Sequence, residues 1–188
     1  MDNLRNNDIK FFDESYHRKH WKIFYDYFNS KENKILDFGC GAGWGVKIGL
    51  EQGFNIVGLD TIAIHKSRVE QFDKFRKKIG VHEYIKLYNG SGKLPFDNNS
   101  FSLIVCRASF NKFRNIDRKM SEEELAFERL REFDRILYEP KMVVITGKYF
   151  EKQFRKFNFQ VFYWHKSGVE KIWRKNGLTK ITQEKVNI

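Results

Sequence analysis

The residues best suited to chemistry lie in one short stretch, Ile35-Leu36-Asp37-Phe38-Gly39-Cys40-Gly41-Ala42-Gly43. An apolar run passes into three glycines at alternate positions. Glycine lets a backbone turn tightly and approach a ligand closely. The next apolar run ends on Asp60, about 20 positions after the glycines. A carboxylate at that place can accept both ribose hydroxyls of an adenosine. Glycine turn and acid together suggest a ligand built on adenosine.

The spacing narrows the ligand. The dinucleotide pattern G-x-G-x-x-G would need glycine at Trp44 if it began at Gly39, and at Val46 if it began at Gly41. A pyrophosphate is therefore disfavoured. Asp37 also suits a ligand that carries a positive ammonium. The run Gly90-Ser91-Gly92-Lys93 is not a phosphate-binding P-loop, because Leu87 and Leu94 stand where that motif needs glycine and Ser or Thr.

From Ile35 to Thr146 the chain resembles the class I S-adenosylmethionine-dependent methyltransferases, in particular the small-molecule branch known as the methyltransferase-11 type. ILDFGCGAG is similar to the first motif, and IVGLD to the second strand with its acid. GSGKLPFDNNSFSLIVCRASF is similar to the adenine-side loop and fourth strand, and LREFDRILYEPKMVVIT to the following helix and fifth strand. The resemblance implies S-adenosylmethionine as cofactor. It would place Asp37, Gly39, Cys40, Gly41 and Gly43 at the methionine part and Asp60 at the ribose. Thr61 would flank the adenine, Ser91 and Gly92 would lie on its polar edge, and Arg107 would close the pocket. The chain departs from the family at four places. Ser91 stands for an aspartate, Ser102 for an acid, Lys112 for a histidine, and Lys141-Met142 for a glycine pair.

A sulfonium-borne methyl is already activated, so a base is needed only where the nucleophile must lose a proton. The sequence assigns no catalytic residue. Tyr16 and His20, with His17 between them, begin a helix that would form a lid, and Lys112 with Asn111 follows the fourth strand. His165 and Lys166 lie where the acceptor would be walled, and Trp44 adjoins the glycines. Each has an ordinary reading as a helix face, a surface loop or packing. The expected acceptor is an O or N nucleophile on a small metabolite or sugar-like molecule. Base-amine methylation is disfavoured, because neither Pro95 nor Pro140 lies in a D/N-P-P-Y/F motif. The cytosine C5 reaction is disfavoured because neither cysteine follows a proline. Two alternatives stay open: a non-catalytic cofactor-binding protein, and an RNA methyltransferase using the basic C-terminal segment.

Several elements must position these residues. Trp21, Phe24, Tyr25 and Phe28 recur at helical spacing within residues 11–29. Strands are expected at Lys34–Phe38, Asn55–Leu59, Tyr84–Tyr88, Phe101–Cys106 and Met142–Thr146. Helices are expected between them at Val46–Gln52 and 63–78, and at Ser121–Leu137, where Ser121 and Glu124 form a capping box. Beyond these, Phe159–Trp164 reads as a short strand, Val169–Lys175 as a helix and Thr179–Val186 as a last strand. This alternation predicts a Rossmann-like α/β three-layer sandwich. Its mostly parallel sheet would have six or seven strands, six on the expectation that the chain ends one strand early. The expected division within one domain is a lid helix in 1–30, a cofactor core in 34–146 and a substrate-side segment in 147–188.

Composition agrees with a single domain. The 188 residues are 41% hydrophobic with 19 Phe, enough for an aromatic core. No apolar run approaches the roughly 18 residues needed to span a bilayer, and Met1 to Lys10 is polar, so a cytoplasmic protein is expected. Cys40 and Cys106 lie far apart in apolar surroundings and suggest neither a metal site nor a redox pair. The net charge of +11 is spread along most of the chain, though densest in its last fifth, so it reads as a compositional bias toward lysine with solvated faces; the small-molecule acceptor is what the family resemblance implies. The sequence says nothing about oligomeric state.

Overall fold

The computed structural model describes residues 12–27, 32, 34–61, 66–90, 92–107, 121–146, 154, 159–164 and 170–175. In chain order the elements are α1 (Glu14–Tyr27), β1 (Lys34–Phe38), α2 (Trp44–Glu51), β2 (Asn55–Thr61), α3 (Lys66–Lys78), a 3-10 turn (His82–Tyr84), β3 (Ile85–Tyr88), β4 (Phe101–Arg107), α4 (Glu122–Ile136), β5 (Leu137–Thr146), β6 (Phe159–Trp164) and β7 (Glu170–Lys175).

The strands form one seven-stranded sheet in the order β3-β2-β1-β4-β5-β7-β6. The first five run parallel, and β7 lies antiparallel between β5 and β6. From β1 the chain steps outward to β2 and β3, then returns to place β4 on the other side of β1. The carboxyl ends of β1 and β4 therefore flank a topological switch point, where open α/β sheets bind ligands.

Strand alternation sorts the core into two layers. On one face Ile35, Ile56, Leu103 and Val105 pack with Trp21 and Tyr25 of α1, Val46 and Ile48 of α2, and Phe72 of α3. On the other, Leu36, Phe38, Leu59, Ile104 and Cys106 pack against Ala126, Leu130, Phe133 and Ile136 of α4. The cap of α4 forms as its sequence predicts. Ser121 Oγ accepts the Glu124 N–H at 3.2 Å, and Glu124 Oε2 accepts the Ser121 N–H at 2.8 Å.

One expectation is corrected. Residues 170–175 are strand rather than helix, and they bring the sheet to seven strands, the larger of the two numbers expected. Val169, Ile172 and Trp173 fall at helical spacing in the sequence, but the segment pairs on both edges, Val143 with Trp173 and Val161 with Trp173. Backbone hydrogen bonding to two neighbouring strands outweighs a short local periodicity. The last strand expected at Thr179–Val186 lies outside the described residues. Among the described residues no helix is long and apolar enough to cross a membrane.

Candidate cofactor-binding site

β1 delivers the chain into the glycine turn at the switch point. Gly39, Gly41 and Gly43 take φ values of 80°, 54° and 90°, conformations that L side chains rarely adopt. These three residue types are therefore dictated by the backbone path. The turn is tied to the neighbouring strand: the N–H groups of Gly39 and Cys40 both donate to the Leu59 carbonyl, at 2.7 and 3.1 Å. The next residue along that strand is Asp60, so one carbonyl fixes the acid beside the turn.

Asp60 is held at both oxygens. Oδ1 accepts the Thr61 N–H at 2.9 Å, and Oδ2 pairs with Arg76 Nη2 at 2.5 Å. Arg76 comes from α3 and is buried, whereas the Asp60 side chain keeps 14% of its surface exposed. The same guanidinium donates to the Gly41 carbonyl, through Nε at 2.9 Å and also through Nη2. It lies 5.5 Å from the centre of the Phe72 ring. Burial pushes the Asp60 carboxyl above its ordinary range, against the pull of Arg76 and the Thr61 N–H.

Asp37 lies on the same face of the sheet, buried under α1 and α2. Burial raises its carboxyl to about 7, with Arg107 and Arg76 lowering it and Asp60 raising it. Arg107, at the end of β4, stacks its guanidinium 5.4 Å from the Trp21 ring centre. The carboxyl ends of β1, β2 and β4 thus carry two acids and, with α3, two arginines around the glycine turn. Burial also lifts the Cys40 thiol well above its usual range, which keeps it protonated and unreactive.

The structure brings together most of the residues expected from sequence. Asp37, Gly39, Cys40, Gly41, Gly43, Asp60, Thr61 and Arg107 share the switch-point end of the sheet. Thr61 is buried, and Gly92 sits in the loop after β3 with φ 68°. Ser91, Asn111, Lys112, His165 and Lys166 lie outside the described residues, as does the side chain of His20. Tyr16 is exposed and meets His17 edge-on. His17 of α1 also reaches the turn region, stacking on Trp44 with ring centres 6.3 Å apart.

Four residues that sequence reasoning passed over belong to this region. Arg76 bridges the turn and Asp60. Trp21 and Tyr25, read as one apolar face, pack directly over Asp37 and the start of α2. Arg129 of α4, also fully buried, donates through Nη2 to the Gly90 carbonyl in the loop after β3 and lies against Phe38 and Tyr88. Each of the two loops that would surround an adenosine is therefore gripped at a carbonyl by a buried arginine.

Comparison with known proteins agrees with this geometry. A family model described as a methyltransferase domain matches residues 36–137, more than half of the chain. The uncharacterized methyltransferase YcgJ of Bacillus subtilis is 29% identical over 92 residues, 48% of this chain and 35% of that protein. The chain thus matches only about a third of that relative's length. The crystal structure of YcgJ has a TM-score of 0.56 at 14% identity, covering 84% of this chain and 94% of that one. A SAM dependent methyltransferase from Aquifex aeolicus has a TM-score of 0.57 at 13% identity, covering 86% and 97%. The cyclase SpnF has a TM-score of 0.56 at 16% identity, covering 78% and 59%. These structural likenesses show the fold alone.

Proposed function

Since this chain belongs to the class I S-adenosylmethionine-dependent methyltransferases, with S-adenosylmethionine as its cofactor, we propose that it transfers the cofactor's methyl group to an O or N nucleophile on a small metabolite or sugar-like acceptor. The observation that carries the proposal is the positive-φ glycine turn bound through Leu59 to the strand that carries Asp60.

The residues present fit the cofactor. The turn leaves room for close backbone approach: a Cβ at Gly41 would meet only Phe72 Cε2, at 3.9 Å. Each oxygen of Asp60 spends one acceptor position on the protein, and a carboxylate oxygen has about two. The exposed edge of that carboxylate is therefore free to receive a ribose diol. Asp37 offers negative charge for an ammonium, and Arg107 positive charge for a carboxylate. Trp44 Nε1 is buried with no hydrogen-bond partner among the described residues, leaving a donor beside the turn. When bound, the cofactor supplies an activated methyl group on a sulfonium.

The chain's own contribution is orientation and exclusion of water. Holding two reactants in an attack geometry can contribute roughly 7–11 kcal/mol. Trp21, Trp44 and Phe75 build an apolar wall beside the turn, with Trp44 and Phe75 ring centres 5.5 Å apart. Tyr16, His20 and Lys112 are the proposed candidates for proton transfer where the acceptor carries a proton. A small acceptor is supported by the family branch the motifs resemble and by the lack of base-methylation motifs. We also infer a cytoplasmic location, with which the two free cysteines, Cys40 and Cys106, agree.

The test is transfer of labelled methyl from S-adenosylmethionine to pooled small-molecule acceptors, with total RNA in a parallel reaction. Label in one small-molecule pool supports the reading. Label at a defined RNA position replaces the acceptor class. Binding without turnover in any pool makes the chain a non-catalytic binder, an outcome the fold permits because function resides in the site.

A further inference from the structure

Arg76 is unusual for a helix residue on an apolar face. It is among the largest fully buried side chains, in the company of Phe38 and Phe101. Burying a guanidinium is costly unless its hydrogen bonds are met. Here they are met by two groups of the candidate site, the Asp60 carboxylate and the Gly41 carbonyl. The stem is also confined. A Cβ on Gly43 would lie 3.6 Å from Arg76 Cγ, and the Phe72 ring lies against the guanidinium. The carbonyl and the ring orient the fork, and the fork in turn fixes Asp60 Oδ2.

We propose that Arg76 is a positioning residue for cofactor binding, acting through Asp60 by holding that carboxylate ionised and aimed at the ribose. The proposal rests on the function proposed above and adds a residue to it. Without the guanidinium, Asp60 would keep its burial and only the Thr61 N–H to favour its charge. The other titratable groups facing it are Asp37 on β1, Cys40 in the turn and Tyr88 on β3. The Asp60 charge raises the Asp37 carboxyl, and none of the three supplies a positive charge to Asp60. Arg107 on β4 acts on Asp37. No other cation replaces Arg76 at Asp60 among the described residues.

The test is a double-mutant cycle read by calorimetric titration with S-adenosylhomocysteine, using wild type, R76M, R76K, D60N and D60N/R76M. R76M is expected to weaken binding at least tenfold at pH 8, with R76K recovering part of the loss. The deficit of R76M relative to wild type should widen as pH falls from 8 to 6. In the D60N background, R76M should change affinity less than twofold, because its effect runs through the missing carboxylate. Melting curves confirm that each variant is folded, and R76K with D60N/R76K carries the cycle if R76M is not. Folded R76M with wild-type affinity, or losses that multiply in the double variant, would overturn the proposal. Absence of binding by wild type at millimolar ligand would instead overturn the cofactor assignment, so the two failures are distinguishable.

Discussion

Tyr25 Oη donates to the Gly45 carbonyl at 2.8 Å and so fastens the N-terminal helix to the helix that follows the glycine turn. At Gly45 the two helices are in tight contact. A Cβ there would overlap the Trp21 ring and the Asp37 carboxylate. Overpacking of a tight core commonly costs about 1–3 kcal/mol. Gly45→Ala is expected to lower the melting temperature by about 2–4 °C per kcal/mol lost and to weaken S-adenosylhomocysteine binding by displacing Asp37. A melting curve and a titration of the variant check both. An unchanged melting temperature would show that the contact is slack.

Asp37 gives the cofactor-free protein a characteristic pH response. Its folded value of about 7 lies above the unfolded value of about 3.9. Between those values the folded chain binds a proton that the unfolded chain has released. Stability therefore falls as pH rises through that window, by at most about 1.4 kcal/mol per pH unit, and levels off above it. Asp37→Asn should flatten the fall between pH 5 and 7. Chemical denaturation at several pH values measures it, and a slope unchanged in the variant would contradict the assignment.

Ser121 offers a control that separates stability from binding. Removing the capping box by Ser121→Ala should cost about 1 kcal/mol. The cap lies at the start of α4, outside the glycine turn, so affinity for S-adenosylhomocysteine should stay within twofold of wild type. A large loss of affinity would mean that α4 positions the site more directly than its packing suggests.

Arg129→Met should be costlier. It leaves the buried Gly90 carbonyl without its charged donor, a loss of about 1.5–3 kcal/mol for such a bond. Reduced thermal stability together with weaker binding of adenosine is expected. Unaltered adenosine affinity in a folded variant would separate the loop after β3 from the site.

Much of this architecture is legible in the sequence because backbone constraints leave marks there. The glycines at 39, 41 and 43 announce positive φ, Ser121 and Glu124 announce a helix start, and the apolar runs announce parallel strands. Arg76 and Arg129 were harder to see because charge normally marks a solvated face. Position gives a signal in hindsight. Arg76 falls four residues after Phe72 and three before Ile79, on the buried stripe of α3, and Arg129 falls between Ala126 and Leu130 on that of α4. A cation on an apolar stripe must find partners, and here it finds loop carbonyls. β7 is not legible in the sequence because its six residues hold one adjacent apolar pair, Ile172-Trp173, too little to fix a period, and only pairing with β5 and β6 decides.

The most direct measurement is calorimetric titration of the wild-type chain with S-adenosylhomocysteine, with NAD as competitor. A saturable single-site isotherm, unaffected by millimolar NAD and abolished by Gly43→Val, is the predicted result. Gly43 holds φ 90°, a conformation a β-branched residue adopts only under strain, and Ile85 and Val81 side-chain carbons lie 2.9 Å from where a Cβ would stand, so valine is expected to distort the turn. No heat at millimolar ligand, or displacement by NAD, would contradict the assignment of this turn to an adenosine joined to an amino acid.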